Sequence, residues 1–249
     1  MNKLIRAEWI KFRTSRSNWV LLAAGLILSV AIVVVSVALF GNSVGDSEPH
    51  VSLLDRANLI GFGSIMALIF ISIVGVRVFG NEWRTGTIES AAIAAPIRAE
   101  LFFAKCILMA IVGFVYGIAV SGIATLVVFI GLNGKDYSIG FDDPQVLRIT
   151  LGYVVLCALY GLVGVTVGSF FTSNALATAL VIAFPAVVEG ALSAVLPGNA
   201  GSYLPFAAGN AVLNADPQIS ALEGGIIFAA FAAALILVGE RVFDRRDLT

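Results

Sequence analysis

Charge in this chain is gathered at Glu82, Trp83 and Arg84 with Thr85, Gly86, Thr87 and Glu89 beside them, and at Arg98, Glu100 and Lys105, within GNEWRTGTIESAAIAAPIRAELFFAK from Gly80 to Lys105. Long apolar runs flank the stretch on both sides. Residues of this kind make ion pairs and charge-assisted hydrogen bonds with another surface and avoid hydrocarbon. The Gly80-Asn81 start, the Thr85-Gly86-Thr87 turn and Pro96 predict short helical pieces at a membrane surface, shaped to be held. A second candidate is Glu189, the sole carboxylate deep in an apolar run. It is either a substrate contact or proton-linked site in a wet cavity, or a carboxyl group bonded to a neighbouring helix or facing the polar segment that follows. Pro185, one turn earlier, kinks that helix.

Enzymatic chemistry is missing. No G-x-x-x-x-G-K-[ST] phosphate loop occurs; the Gly134-Lys135 pair is followed by Asp136. No serine has glycines at both minus two and plus two, which removes the nucleophile elbow. The sole histidine, His50, sits in a predicted external loop, and Cys106 and Cys157 lie in apolar runs, so neither a metal cluster nor a disulfide is expected. The chain has no catalytic residue, metal or cofactor of its own to offer, and no nucleic-acid partner.

Composition explains why. Hydrophobic residues make up 59% and charged residues 12% of the chain, with a mean hydropathy of +0.98, so it reads as an integral membrane protein. Net charge −1 says little, because charge is sorted by side of the membrane. The expected fold is all-α with six spans, at about 19–40, 59–79, 106–132, 149–171, 175–196 and 224–243, forming one transmembrane domain over 1–249. Trp19 to Phe40 would extend ~33 Å as a helix, enough for a ~30 Å bilayer core. Although basic residues precede it as in a signal peptide, its length and the missing small-x-small site make it a retained span.

Residues 1–18 place Ile5, Trp9 and Phe12 at i, i+4, i+7, which predicts an amphipathic interfacial helix anchored by Trp9, Lys11, Arg13 and Trp19. The plainer alternative is a basic flank that only sets topology. Residues 197–223 are Gly-, Pro- and Asn-rich yet apolar, and are expected to form a re-entrant hairpin between spans five and six. Small residues at four-residue spacing, Gly113, Gly117, Ser121 and Thr125 in the third span and Gly164 and Gly168 in the fourth, predict close helix packing, within the chain or between protomers. Basic residues cluster at the N-terminus (Lys3, Arg6, Lys11, Arg13, Arg16), around the charged stretch (Arg77, Arg84, Arg98, Lys105) and in the tail (Arg241, Arg245, Arg246). By the positive-inside rule all three are cytoplasmic.

These residues resemble those of permease subunits of type-2 ABC exporters. The likeness lies in Glu82-Trp83-Arg84, Gly86-Thr87, Pro96, Arg98 and Lys105, in Glu8-Trp9-Ile10-Lys11-Phe12-Arg13 followed by Arg16-Ser17-Asn18-Trp19, and in the ending Phe243-Asp244-Arg245-Arg246-Asp247-Leu248. The resemblance implies a bacterial cell-membrane protein with both termini inside, paired with a second permease copy or a related permease. It also implies a separate ABC-type ATP-binding subunit, which binds ATP and Mg and docks on a coupling helix within 80–100. In that role Glu82, Arg84 and Glu89 would bond across the partner's cleft, Trp83 would bury apolar area and Gly86 would permit the turn. The short Thr172-Ser173-Asn174 turn departs from a second strong cytoplasmic contact. The expected cargo is amphipathic or hydrophobic: a peptide antibiotic, a drug or a lipid. The rival readings are a non-transporting immunity or sensor protein that binds an amphipathic ligand, and an ion-coupled carrier working through Glu189.

Overall fold

The computed structural model describes residues 2–43, 53–88, 97–134, 140, 143–214 and 218–245. Among them every regular element is helical. The chain begins with α1 (Asn2–Thr14), α2 (Arg16–Ser43), α3 (Leu53–Thr85), α4 (Arg98–Asn133) and α5 (Pro144–Phe170). α6 (Asn174–Ala183) passes through a π-helical turn at Phe184–Glu189 into α7 (Gly190–Val195). A 3-10 turn at Ala200–Tyr203 leads to α8 (Pro205–Leu213), and α9 runs over Ala221–Arg245. Among the described residues six paths are long and apolar enough to cross a membrane, with α6 to α7 forming the fifth.

Helix ends follow local chemistry. Pro144 fills the first position of α5, where its missing N–H costs nothing, and the Asp143 carboxylate accepts from Gln145 N at 2.8 Å. Ser173 caps α6 in the same way, accepting from Leu176 N. The fourth span thus starts at Pro144, ahead of residue 149.

The largest departure from expectation concerns the charged stretch. α3 does not end at residue 79 but continues through Gly80 and Asn81 to Thr85. Gly80 reads as a helix breaker, yet it serves close packing: a Cβ there would come within 2.5 Å of Asn174 Oδ1. The chain turns at Gly86, whose φ of 67° lies in the left-handed region, with its N–H donating to the Trp83 carbonyl. α4 likewise begins at Arg98, well before residue 106. Its 36 residues rise about 54 Å, far more than a ~30 Å bilayer core requires. Two helices therefore project beyond the apolar zone, and Glu89 and Pro96 in the link between them lie outside the described residues.

α3 forms the spine of the bundle, packing most heavily on α5 and α2, while α5 also packs on α4. Small residues permit this. A Cβ on Gly164 would fall 2.1 Å from the Ser72 carbonyl oxygen, and one on Gly113 would fall 2.6 Å from the Cys157 carbonyl oxygen. The small-residue stripes of the third and fourth spans are thus used inside the chain. The second span buries 62% of its most apolar window, against 28% for the first and 17% for the fifth and sixth. The outer spans therefore leave broad apolar faces uncovered, including Val187, Val195, Ile226 and Leu237.

Candidate functional site

α1 lies against the projecting ends of α3 and α4. Its inward stripe is Leu4, Glu8, Lys11 and Phe12, spaced by three and four, and it places a carboxylate where an apolar residue would be expected. Glu8 is 3% exposed, and its partners explain why. Lys105 Nζ on α4 lies 2.6 Å from Glu8 Oε2 and 2.9 Å from Glu82 Oε1 on α3, and Lys105 is fully buried. Lys11 Nζ repeats the bridge from the other side, 2.7 Å from Glu8 Oε1 and 2.8 Å from Glu82 Oε1. Two carboxylates and two ammonium groups thus form a neutral cluster that joins three elements. Burial on this scale is tolerated only when every charge is paired.

Aromatic rings support the cluster. Lys105 Nζ sits 5.1 Å from the centroid of the Phe79 ring. Phe79 in turn meets Phe102 at 5.9 Å and Phe243 at 5.1 Å, so the end of α9 joins the assembly. Arg98 donates to the Asp244 carbonyl at 3.2 Å. Segments far apart in sequence therefore meet at one end of the bundle: the Glu8–Arg13 motif, Glu82, Lys105 and the Phe243 ending.

The pairing favours the ionised forms of Glu8 and Lys11. Burial pushes the Glu8 carboxyl up, but the Lys105 ammonium and the hydrogen bonds from Lys105 and Lys11 outweigh it and leave it below its ordinary 4.5. Burial pushes Lys11 down, but hydrogen bonds to Glu8 and Glu82 leave it above its ordinary 10.5. The stabilisation from Glu8 is complete above pH 4.5 and lost as pH falls through its lowered value. That from Lys11 is complete below pH 10.5 and lost as pH rises through its raised value. Amide protection factors in α1, with the intrinsic pH dependence of exchange divided out, are therefore expected to stay flat across the window between them and to fall only outside it. Loss of protection between about pH 5 and 9 would contradict the pairing.

The residues singled out from sequence separate into two groups. Glu82 is buried in the cluster, and Trp83 is half-buried against the core, so neither projects outward. Arg84, Thr85, Gly86 and Thr87 are exposed, with the Thr85 and Thr87 hydroxyls 2.9 Å apart. Glu89 is outside the described residues. Lys11, expected to face lipid, has its ammonium turned into the cluster. Trp9 and Trp19 are 40% and 46% exposed and grip Phe12 between them, with ring centroids at 6.1 and 6.0 Å. Trp19 Nε1 donates to the Arg13 carbonyl at 3.0 Å. Glu8 and Lys105 had no assigned role, yet each interrupts an apolar helical stripe, which is a readable sign of a buried pair.

Glu189 lies away from this cluster. Its Oε1 accepts from Phe206 N at 3.0 Å and its Oε2 from Ala207 N at 2.9 Å, so it clasps the first turn of α8. Pro185, which has no N–H to donate, lies in the π-helical turn that rotates Glu189 inward. Of the two readings open from sequence, the polar segment after the fifth span is what this carboxylate faces.

No curated protein matches the chain significantly. Residues 4–190 match the family described as ABC-2 family transporter protein, a range that takes in α1, the α3–α4 projection and Glu189. With six apolar helices and the convergent charged motifs, the chain is a multi-pass membrane protein and belongs to the ABC-2 transporter family.

Proposed function

We propose that this chain is the membrane subunit of an ATP-driven exporter, powered through the link between α3 and α4 by a separate ABC-type subunit that binds ATP and Mg. The observation that carries this reading is the buried cluster of Glu8, Lys11, Glu82 and Lys105, set directly behind the exposed turn at Arg84–Thr87. A partner gripping that turn pulls on two rigid helices at once. The cluster obliges α1 to follow them, so motion spreads to the first span through the α1–α2 corner.

In this reading the charged end faces the cytoplasm of a bacterial cell, α1 lies in the membrane interface, and 80–100 is the coupling segment. Glu82 then stiffens the segment from within, and Arg84, Thr85, Gly86 and Thr87 offer the contact surface, with Glu89 beyond them. The 3-10 turn and α8 form the re-entrant hairpin, held by Glu189, whose engagement with backbone N–H groups supports a clasp over an ion carrier. The uncovered apolar faces of the outer spans suit lipid and a second permease copy. They also suit an amphipathic or hydrophobic cargo.

Co-purification tests the reading. Tagged wild-type chain is expected to retain an ATP-binding subunit, and Arg84→Glu is expected to weaken that retention at least ~10-fold, the scale of one charge-assisted contact. Failure to recover any ATP-binding subunit with the wild type would overturn the proposal.

A further inference from the structure

A cavity of about 640 Å³ opens at the α1 end. Leu4 and Lys11 of α1, Asn18 at the start of α2, Arg77 and Arg84 of α3, and Leu108 of α4 are among the residues that line it. Its charge is unbalanced. Glu8 and Glu82 are neutralised by Lys11 and Lys105, which leaves Arg77 and Arg84 with no carboxylate partner among the described residues. The two arginines are seven residues apart on one face of α3, which separates them by roughly 10 Å along the axis. Arg77 Nε donates to Asn18 Oδ1 at 3.4 Å, so the guanidinium is oriented while its terminal nitrogens take no acceptor among the described residues. Leu4, Phe12, Val78, Leu101 and Leu108 give the cavity an apolar wall.

Two guanidinium groups beside hydrocarbon select an amphiphile with an anionic head, phosphate above all, since its oxygens accept two N–H bonds from one guanidinium. Depth selects the source. Trp9 and Trp19 are exposed at the α1–α2 corner, on the same side of the bundle as the cavity, and indole rings settle at the headgroup level of a bilayer. We infer that this cavity is a binding site for an anionic phospholipid, its phosphate held between Arg77 and Arg84 and one acyl chain against Leu4, Val78 and Leu108. The inference rests on the interfacial placement of α1 and does not depend on the ATP-binding partner. Lipid bound there would brace α1 against α3 beside the ionic cluster.

The test uses the full chain purified without a partner. Its melting temperature is measured on addition of phosphatidylglycerol, phosphatidylcholine or inorganic phosphate. Phosphatidylglycerol is expected to raise it saturably, and the other two are not. Arg77→Gln with Arg84→Gln is expected to weaken the phosphatidylglycerol effect about tenfold or more. Lys3→Gln with Arg6→Gln, both exposed on α1 and outside the cavity, should leave it intact. Arg84→Gln alone, at an exposed helix end, keeps the test valid should Arg77→Gln disturb folding. An equal response to inorganic phosphate would mean a free-anion site and overturn the lipid assignment. No response of the wild type, or equal loss in the Lys3 and Arg6 variant, would also overturn it. Recovery of an ATP-binding subunit by the wild-type chain does not depend on these outcomes, so the two proposals fall separately.

Discussion

Lys105→Met is expected to destabilise the α1 end by about 3–5 kcal/mol, the usual cost of stripping one partner from a buried ion pair. Lys105 is fully buried, and its ammonium is shared by Glu8 and Glu82. Without it, two buried carboxylates are left with Lys11, whose side chain is 48% exposed to solvent. The double variant Glu8→Met with Lys105→Met removes one charge of each sign at similar volume, and leaves Lys11 paired with Glu82. It is expected to recover most of the loss, because replacing a whole buried pair by apolar groups is often neutral. Thermal unfolding of the purified chain reads the cycle. The two single losses together should exceed the double loss by about 3 kcal/mol or more. Strict additivity would mean that Glu8 and Lys105 do not act on each other.

Gly164→Val is expected to prevent assembly of the bundle, and Gly164→Ala to cost up to about 3 kcal/mol. The first contacts of an added Cβ would be backbone: Ser72 O at 2.1 Å, its carbonyl carbon at 2.8 Å and its Cα at 2.9 Å. No rotamer change relieves such contacts, so α5 must move off α3, which is the largest interface in the fold. Gly122, also in a helix of the bundle, has nothing within 4 Å of its position. Gly122→Ala is therefore expected to be harmless. The yield of monodisperse protein and its melting temperature distinguish the two sites. Equal tolerance at Gly164 and Gly122 would contradict the packing of α3 on α5.

Sequence made the spans legible because length and apolarity are local quantities. Helix ends were legible only where one residue has one meaning. Gly86 marked a true turn, whereas Gly80 marked a close approach to Asn174, and nothing local distinguishes them. Arg98, Glu100 and Lys105 read as short helical pieces at the membrane surface, separate from the span that follows, because their charge sets them apart from its apolar run. In the fold the helix simply continues past it. The Asp143-Pro144 cap was a readable start signal that the apolar run obscured.

The site was half visible. Glu82 stood out by type and setting, but the side it faces depends on Lys105 and on Lys11, 71 residues before it. Glu8 and Lys105 are 97 residues apart, a pairing that no spacing argument reaches. Glu189 was visible as an anomaly in an apolar run. Its partners are backbone N–H groups 17 and 18 residues on, which carry no sequence signature.

If the cluster transmits force, α1 and α4 must move together. Nitroxide labels on Ile10→Cys of α1 and Ile107→Cys of α4, both exposed, report that pair, and Val195→Cys on α7 gives an external reference. In the complex with the ATP-binding subunit, pulsed dipolar spectroscopy before and after ATP binding should give an unchanged Ile10–Ile107 distance. The Ile107–Val195 distance should shift by on the order of a few Å, as rigid-body rearrangements do. An Ile10–Ile107 distance that shifts as much as Ile107–Val195 would show α1 moving independently, and would contradict the account.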